Sequence, residues 1–133
     1  MKNSTVTKYG YGITSDLPFA EGVKRVKEIF AEEGFGALWE IDVQAKMKEK
    51  LDKDMEEYVI LGMCNPALAY EALQQEYELG LLLPCNVIVY RKDGNTRVSV
   101  VNPIALLGIA GNRKLDVAAK QVDAKMKSAL HRI

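Results

Sequence analysis

The sequence predicts an α+β domain: a mostly antiparallel sheet with two long helices on one face. Three observations carry this. Asp93-Gly94 separates two β-type runs, and Asp-Gly favours a tight antiparallel hairpin because both residues tolerate positive φ. Two segments, 18–33 and 113–132, repeat apolar residues at helical spacing, and each such stripe needs a sheet to cover. No glycine-rich phosphate loop follows a strand, and the connector at 43–57 is short with a weak helix, which argues against a parallel doubly wound sheet. At 133 residues the chain makes one domain, 1–133.

Residues 5–14 alternate loosely and read as one strand, irregular at Gly10 and Gly12. Ser15-Asp16 offers an N-cap and Pro18 suits a helix's first turn. Phe19, Val23, Val26 and Phe30 follow at helical spacing, and Gly34 stops the helix. Residues 35–43 switch to period two, with Phe35, Ala37, Trp39, Ile41 and Val43 on one face and Gly36, Leu38, Glu40 and Asp42 on the other. The first face, with Trp39, reads as core. A short helix over 43–51 has Ala45, Met47 and Leu51 as its apolar members.

The run 58–64 is apolar throughout, fit for a buried strand. Asn65-Pro66 then pairs an Asn cap with a proline at the first helical position, and Asn102-Pro103 repeats the device. Residues 81–90 read as a long strand broken by Pro84, and 96–101 as its hairpin partner. The stretch 104–110 is a short helix or covering loop that either caps the core or meets another subunit. Leu115, Ala118, Val122, Met126, Ala129 and Ile133 mark the C-terminal helix.

Composition narrows the function classes. Lys+Arg and Asp+Glu are both 18, and a dedicated nucleic-acid binder shows a basic excess, so no nucleic acid is expected as partner. The N-terminus lacks the apolar stretch of a secretory signal, and no run reaches a membrane span, so a cytoplasmic setting without membrane contact is expected. Thiols stay reduced there, which disfavours a structural disulfide. Two cysteines are too few for a four-thiolate zinc site, and the single histidine, His131, sits in the last helical turn, where a cation suits the helix dipole.

Three ordered motifs carry a family resemblance: Gly34-Phe-Gly-Ala-Leu-Trp-Glu-Ile-Asp-Val43, Tyr58-Val-Ile-Leu-Gly-Met-Cys-Asn-Pro66 and Gly80-Leu-Leu-Leu-Pro-Cys-Asn-Val-Ile-Val-Tyr90. Together with Ser15-Asp-Leu-Pro-Phe19 they make the chain resemble, over nearly its whole length, the domain-of-unknown-function family 302. The resemblance implies a TBP-like α+β fold, β-α-β4-α with inserted short helices, often seen as a homodimer. It implies no established activity, so no catalytic residue carries over.

The best pointer to a site is Cys-Asn occurring twice in mirrored settings, Cys64-Asn65-Pro66 and Pro84-Cys85-Asn86. If the two strands pair antiparallel, the thiols become near neighbours. The bland reading is two small buried hydrophobes. The functional readings are a soft-metal grip on Cys64 and Cys85, for Cu(I) or Zn(II), or a reactive Cys64 whose thiolate is stabilised by the helix that follows it. Asn65 is explained as a cap. Asn86, at the start of an apolar strand, needs a partner, a loop carbonyl or a ligand. Glu40 and Asp42 lie on one strand face, roughly 7 Å apart, where paired carboxylates serve acid–base or metal chemistry; an exposed edge and an Asp42 cap are the plain alternatives. The lysines at 46, 48, 50 and 53 are interleaved with acids and read as a solvated face.

The leading functional reading is therefore a small ligand- or metal-binding homodimer with Cys64, Cys85, Asn65, Asn86 and Glu40 as candidate site residues. A thiol-dependent enzyme or redox sensor using Cys64 is the second, and a structural interaction module without a ligand is the third. No cofactor is named by any motif.

Overall fold

The computed structural model describes residues 4–133; residues 1–3, part of the segment read as lacking a secretory signal, lie outside that range. Six strands form one sheet: β1 (Ser4–Val6), β2 (Gly10–Ser15), β3 (Gly36–Asp42), β4 (Tyr58–Cys64), β5 (Cys85–Lys92) and β6 (Asn95–Val101). Their order is β1-β2-β6-β5-β4-β3, and every neighbouring pair is antiparallel. Five helices punctuate them: α1 (Phe19–Glu32), α2 (Val43–Leu51), α3 (Pro66–Gln75), α4 (Pro103–Gly108) and α5 (Asp116–His131). The fold is α+β, as the hairpin and the two striped helices predict. No helix among the described residues is long and apolar enough to cross a membrane.

The helices α1 and α5 cover one face of the sheet. Val26, Phe30 and Met126 are fully buried there against Leu61, Val87, Val89 and Val98. The alternation of β4, β5 and β6 sends one residue in two into this core. A polar link runs through it: the Tyr11 hydroxyl donates to Asp123 Oδ1 at 3.2 Å, and Lys127 Nζ bridges to Asp123 while lying over the Tyr11 ring. A second cluster, with Leu79, Leu107, Leu115 and Ala119, sits beneath α4, so 104–110 caps apolar residues through Leu107 while Ile104 and Ile109 stay exposed.

Local rules explain most boundaries. The side chains of Asn65 and Asn102 accept the backbone N–H groups of Leu68 and of Ile104 and Ala105, so both Asn-Pro starts are capped as expected. Asp42 caps α2 by accepting from Ala45 N. Asp93 and Gly94 both hold positive φ, 51° and 82°, which fits the right-handed twist of the β5–β6 hairpin. Gly34, at φ 89°, ends α1.

Four expectations change. The single strand over 5–14 is a hairpin, β1 and β2, joined through Thr7–Gly10 bonds in both directions, because the Thr7 hydroxyl and backbone supply the turn. Ser15 does not cap α1; it is buried, and its hydroxyl accepts from Leu17 N in a local turn, leaving Pro18 at the cap position. The strand over 81–90 begins only at Cys85, because 77–82 winds into a 3₁₀ turn. The fourth change is in β3. Its register shifts between Ala37 and Trp39, so a bulge at Leu38 inverts the alternation. Trp39 and Ile41 therefore leave the core face, and Glu40 and Asp42 take it, opposite Leu61 and Val59. Trp39 is 38% exposed, although its neighbour Phe35 is buried.

Candidate functional site

The two thiols come to the same end of the sheet. Met63 pairs with Cys85 across β4 and β5, so Cys64 lies one residue out of register from Cys85, on strands roughly 4.8 Å apart. Both are free. Alternation assigns them to opposite faces: Cys85 shares the helix face with Met63 and Val87, and Cys64 shares the open face with Gly62 and its β3 partner Gly36. Among the described residues no group of three or more His, Cys, Asp and Glu side chains gathers to hold a metal. The two thiols lie on opposite faces of the sheet.

Burial pushes the Cys64 thiol above its ordinary range. It pushes Cys85 to about 11, with the nearby Cys64 charge adding to the rise. Desolvation favours the neutral thiol at both positions. Alkylation checks this: both thiols are expected to react with iodoacetamide more slowly at pH 7 than a free cysteine, half-buried Cys64 before buried Cys85, with rates rising toward pH 10. Burst labelling of Cys64 at pH 7 contradicts it. The same shift has a stability consequence. The folded thiol of Cys85 ionises later than the unfolded one, so its contribution is fully present below the ordinary value of 9.0 and is lost as pH climbs through about 11.

The other candidates separate. Asn65 caps α3 and its amide nitrogen lies 2.8 Å from where a Cβ on Gly34 would stand, which ties this loop to the end of α1. Glu40 forms an ion pair with Lys27 of α1 on the helix side of the sheet, away from the open face, and is thereby explained without chemistry. Asp42 is occupied as a cap. Asn86 stands alone among the five. It is exposed on the open face opposite Gly62.

What surrounds Asn86 was less legible. The open face carries Trp39 and Ile41 from β3, Tyr58 and Ile60 from β4, Ile88 and Tyr90 from β5, and Ser99 and Val101 from β6. Tyr58 and Tyr90 stack at 5.5 Å between ring centroids, and burial raises the Tyr58 hydroxyl's pKa, with Tyr90 adding to it. The Trp39 ring occupies the space that a Gly62 side chain would fill, within 2.4–2.8 Å of its would-be Cβ, so Gly62 is what lets the indole lie flat on the sheet. Across β5, a groove of about 280 Å³ runs between Asn86, Ile88, Tyr90, Ser99 and Val101 and is walled by Tyr9. A neighbouring hollow of about 260 Å³ continues it beneath the β1–β2 turn to Leu106 and Ile109 of the α4 region. Sequence reasoning missed Tyr9, Ile88, Tyr90 and Ser99. The available signal was the alternation Asn86, Ile88, Tyr90, Lys92 against Cys85, Val87, Val89, Arg91, which marks a strand covered on one face only.

The antiparallel sheet is backed by helices on one face and left open on the other, where a shallow groove lies. The chain belongs to the family described as Domain of unknown function DUF302, whose model matches residues 11–133. It is similar in structure to an uncharacterized conserved protein DUF302 from Bacillus stearothermophilus, at a TM-score of 0.88 and 29% identity, covering 95% of this chain and 98% of that one. No curated protein matches.

Proposed function

We propose that this protein is a small-molecule-binding module that takes a compact, largely apolar ligand on the open sheet face, and that it works as a cytoplasmic homodimer of TBP-like α+β domains. The observation that carries the ligand reading is Asn86: an exposed amide set in the wall of a groove whose large side chains are Tyr9, Ile88, Tyr90 and Val101. A few polar groups in an apolar concavity are how small-ligand sites fix orientation. Ser99, beside Asn86 in the same groove, is a second polar handle. The free, reduced thiols suit a cytoplasmic setting, and their placement favours packing over metal capture or redox chemistry.

The test is a fragment screen by ¹⁵N amide shifts. Ring-bearing neutral fragments are expected to move the amides of 86, 88, 90, 99 and 101 together. Asn86→Leu is expected to weaken the best of them roughly 5-fold, the net worth of one hydrogen bond. Ile88→Glu is expected to abolish binding while leaving the fold. Shifts confined to other faces, or binding indifferent to both substitutions, sink the reading.

The homodimer reading is supported by exposed area. The chain exposes 8002 Å², whereas a monomer of 14.8 kDa exposes about 7,000 Å². The excess, about 1,000 Å², compares with the roughly 800 Å² that each partner buries in a standard interface.

A further inference from the structure

Resting on the homodimer reading above, we propose that a second copy of this chain seats on the β3–α2 edge, with Trp39, Ile41, Met47, Leu51 and Met55 in the contact. The apolar surface is concentrated there. Of the fourteen exposed large apolar residues among those described, six fall within 38–55: Leu38 and the five just named. All seven residues of β3 are exposed, and β3 is the outermost strand at its end of the sheet. At the opposite edge, β1 has three described residues, Ser4–Val6.

The helix α2 makes the case sharper. It has nine residues and not one of them is buried. A helix this short is marginal in water without a packed face. The ends of α2 are nevertheless fixed, by the Asp42 cap, by Asp52 in the left-handed region at φ 53°, and by Gln44 donating to the Met55 carbonyl at 2.9 Å. It is a preformed arm that touches β3 and β4, with Val43 and Gln44 half-buried and Ala45, Met47 and Leu51 left exposed.

Charge selects the occupant. Over 43–57 the cations Lys46, Lys48, Lys50 and Lys53 face the anions Glu49, Asp52, Asp54, Glu56 and Glu57. Lys48 already pairs with Asp52 and Asp54, and Lys46 with Glu49. A nucleic acid or an anionic membrane calls for a net positive surface. A nearly balanced patch is complementary to itself under a two-fold axis, which brings the same residues of both copies together.

The experiment is sedimentation equilibrium of the full chain, wild type against Leu51→Glu and Met47→Glu, with Val117→Glu on the exposed side of α5 as the comparison. Wild type and Val117→Glu are expected at twice 14.8 kDa. Each of the two α2 variants is expected to raise the dimer dissociation constant at least 100-fold. All three sites are exposed, and circular dichroism checks that the variants fold. A monomeric wild type removes the homodimer reading itself. A dimeric wild type with dimeric α2 variants leaves that reading standing and overturns the location. Trp39 is the chain's one tryptophan, so it gives an independent signal. Its emission is expected to shift red on dilution through the dissociation constant, and constant emission across that range overturns the placement of Trp39 in the contact.

Discussion

Val26→Asp is expected to cost on the order of 3 kcal/mol or more, enough to unfold much of the population of a marginally stable domain. Val26 lies at the centre of the α1 stripe with no exposed surface, packed in the core with Phe30, Val87 and Val89. A carboxylate there has neither water nor a cation, so the side chain either stays neutral or drags α1 off the sheet. The sign with pH follows. The buried carboxyl has a raised folded-state pKa, so part of the lost stability returns as pH falls from that raised value to the ordinary Asp value of about 3.9. Chemical denaturation at pH 7 and pH 4 checks both statements. A loss below about 1 kcal/mol at pH 7 shows that this face is wet.

Gly10→Ala is the second large effect, expected at about 3 kcal/mol. A Cβ on Gly10 would stand 1.8 Å from the Val100 carbonyl oxygen and 2.9 Å from its carbon. Those are backbone atoms in the β2–β6 ladder, where Gly10 pairs with Val101, so no rotamer change relieves the contact. Relief requires the end of the ladder to open, and the groove that Gly10 and Val101 both line opens with it. Gly36→Ala is the internal comparison: nothing lies within 4 Å of its would-be Cβ, and it sits on an exposed strand. That substitution is expected to be neutral or slightly stabilising through the unfolded chain. Equal losses at the two positions, read from urea midpoints, refute the argument from close approach.

Where the sequence carried strong local chemistry, structure followed it. Asn65-Pro66, Asn102-Pro103 and Asp93-Gly94 each act within four residues, through a cap or a turn, and each does in the fold what it does in isolation. The stripes of α1 and α5 were equally legible, because a helix with Val26 and Phe30 on one side has one economical way to bury them. The antiparallel pairing of β4 with β5 was inferred from the same local elements, and it brought Cys64 beside Cys85 as the mirrored motifs suggested.

The faces of individual residues were another matter. The alternation of 35–43 is period two in sequence, yet a single bulged residue at Leu38 exchanges its sides, and this depends on what β3 pairs with, not on β3 itself. Trp39 then moves to the open face because Gly62, a strand away, leaves room for its ring. Glu40 finds Lys27 because the bulge turns it to the helix side of the sheet.

The sequence by itself determined the elements, their caps and turns, the α+β class and the burial of the two helix stripes, because those follow from contacts within a turn or along one face. Only the tertiary structure decided which side of the strand each cysteine takes, that Asn86 lines a groove on the open face while Asn65 caps α3, and that the groove at Tyr9 and Tyr90 exists. Those features depend on register between strands far apart in the chain. A shift of one residue, which leaves local propensity unchanged, moves every side chain to the opposite face.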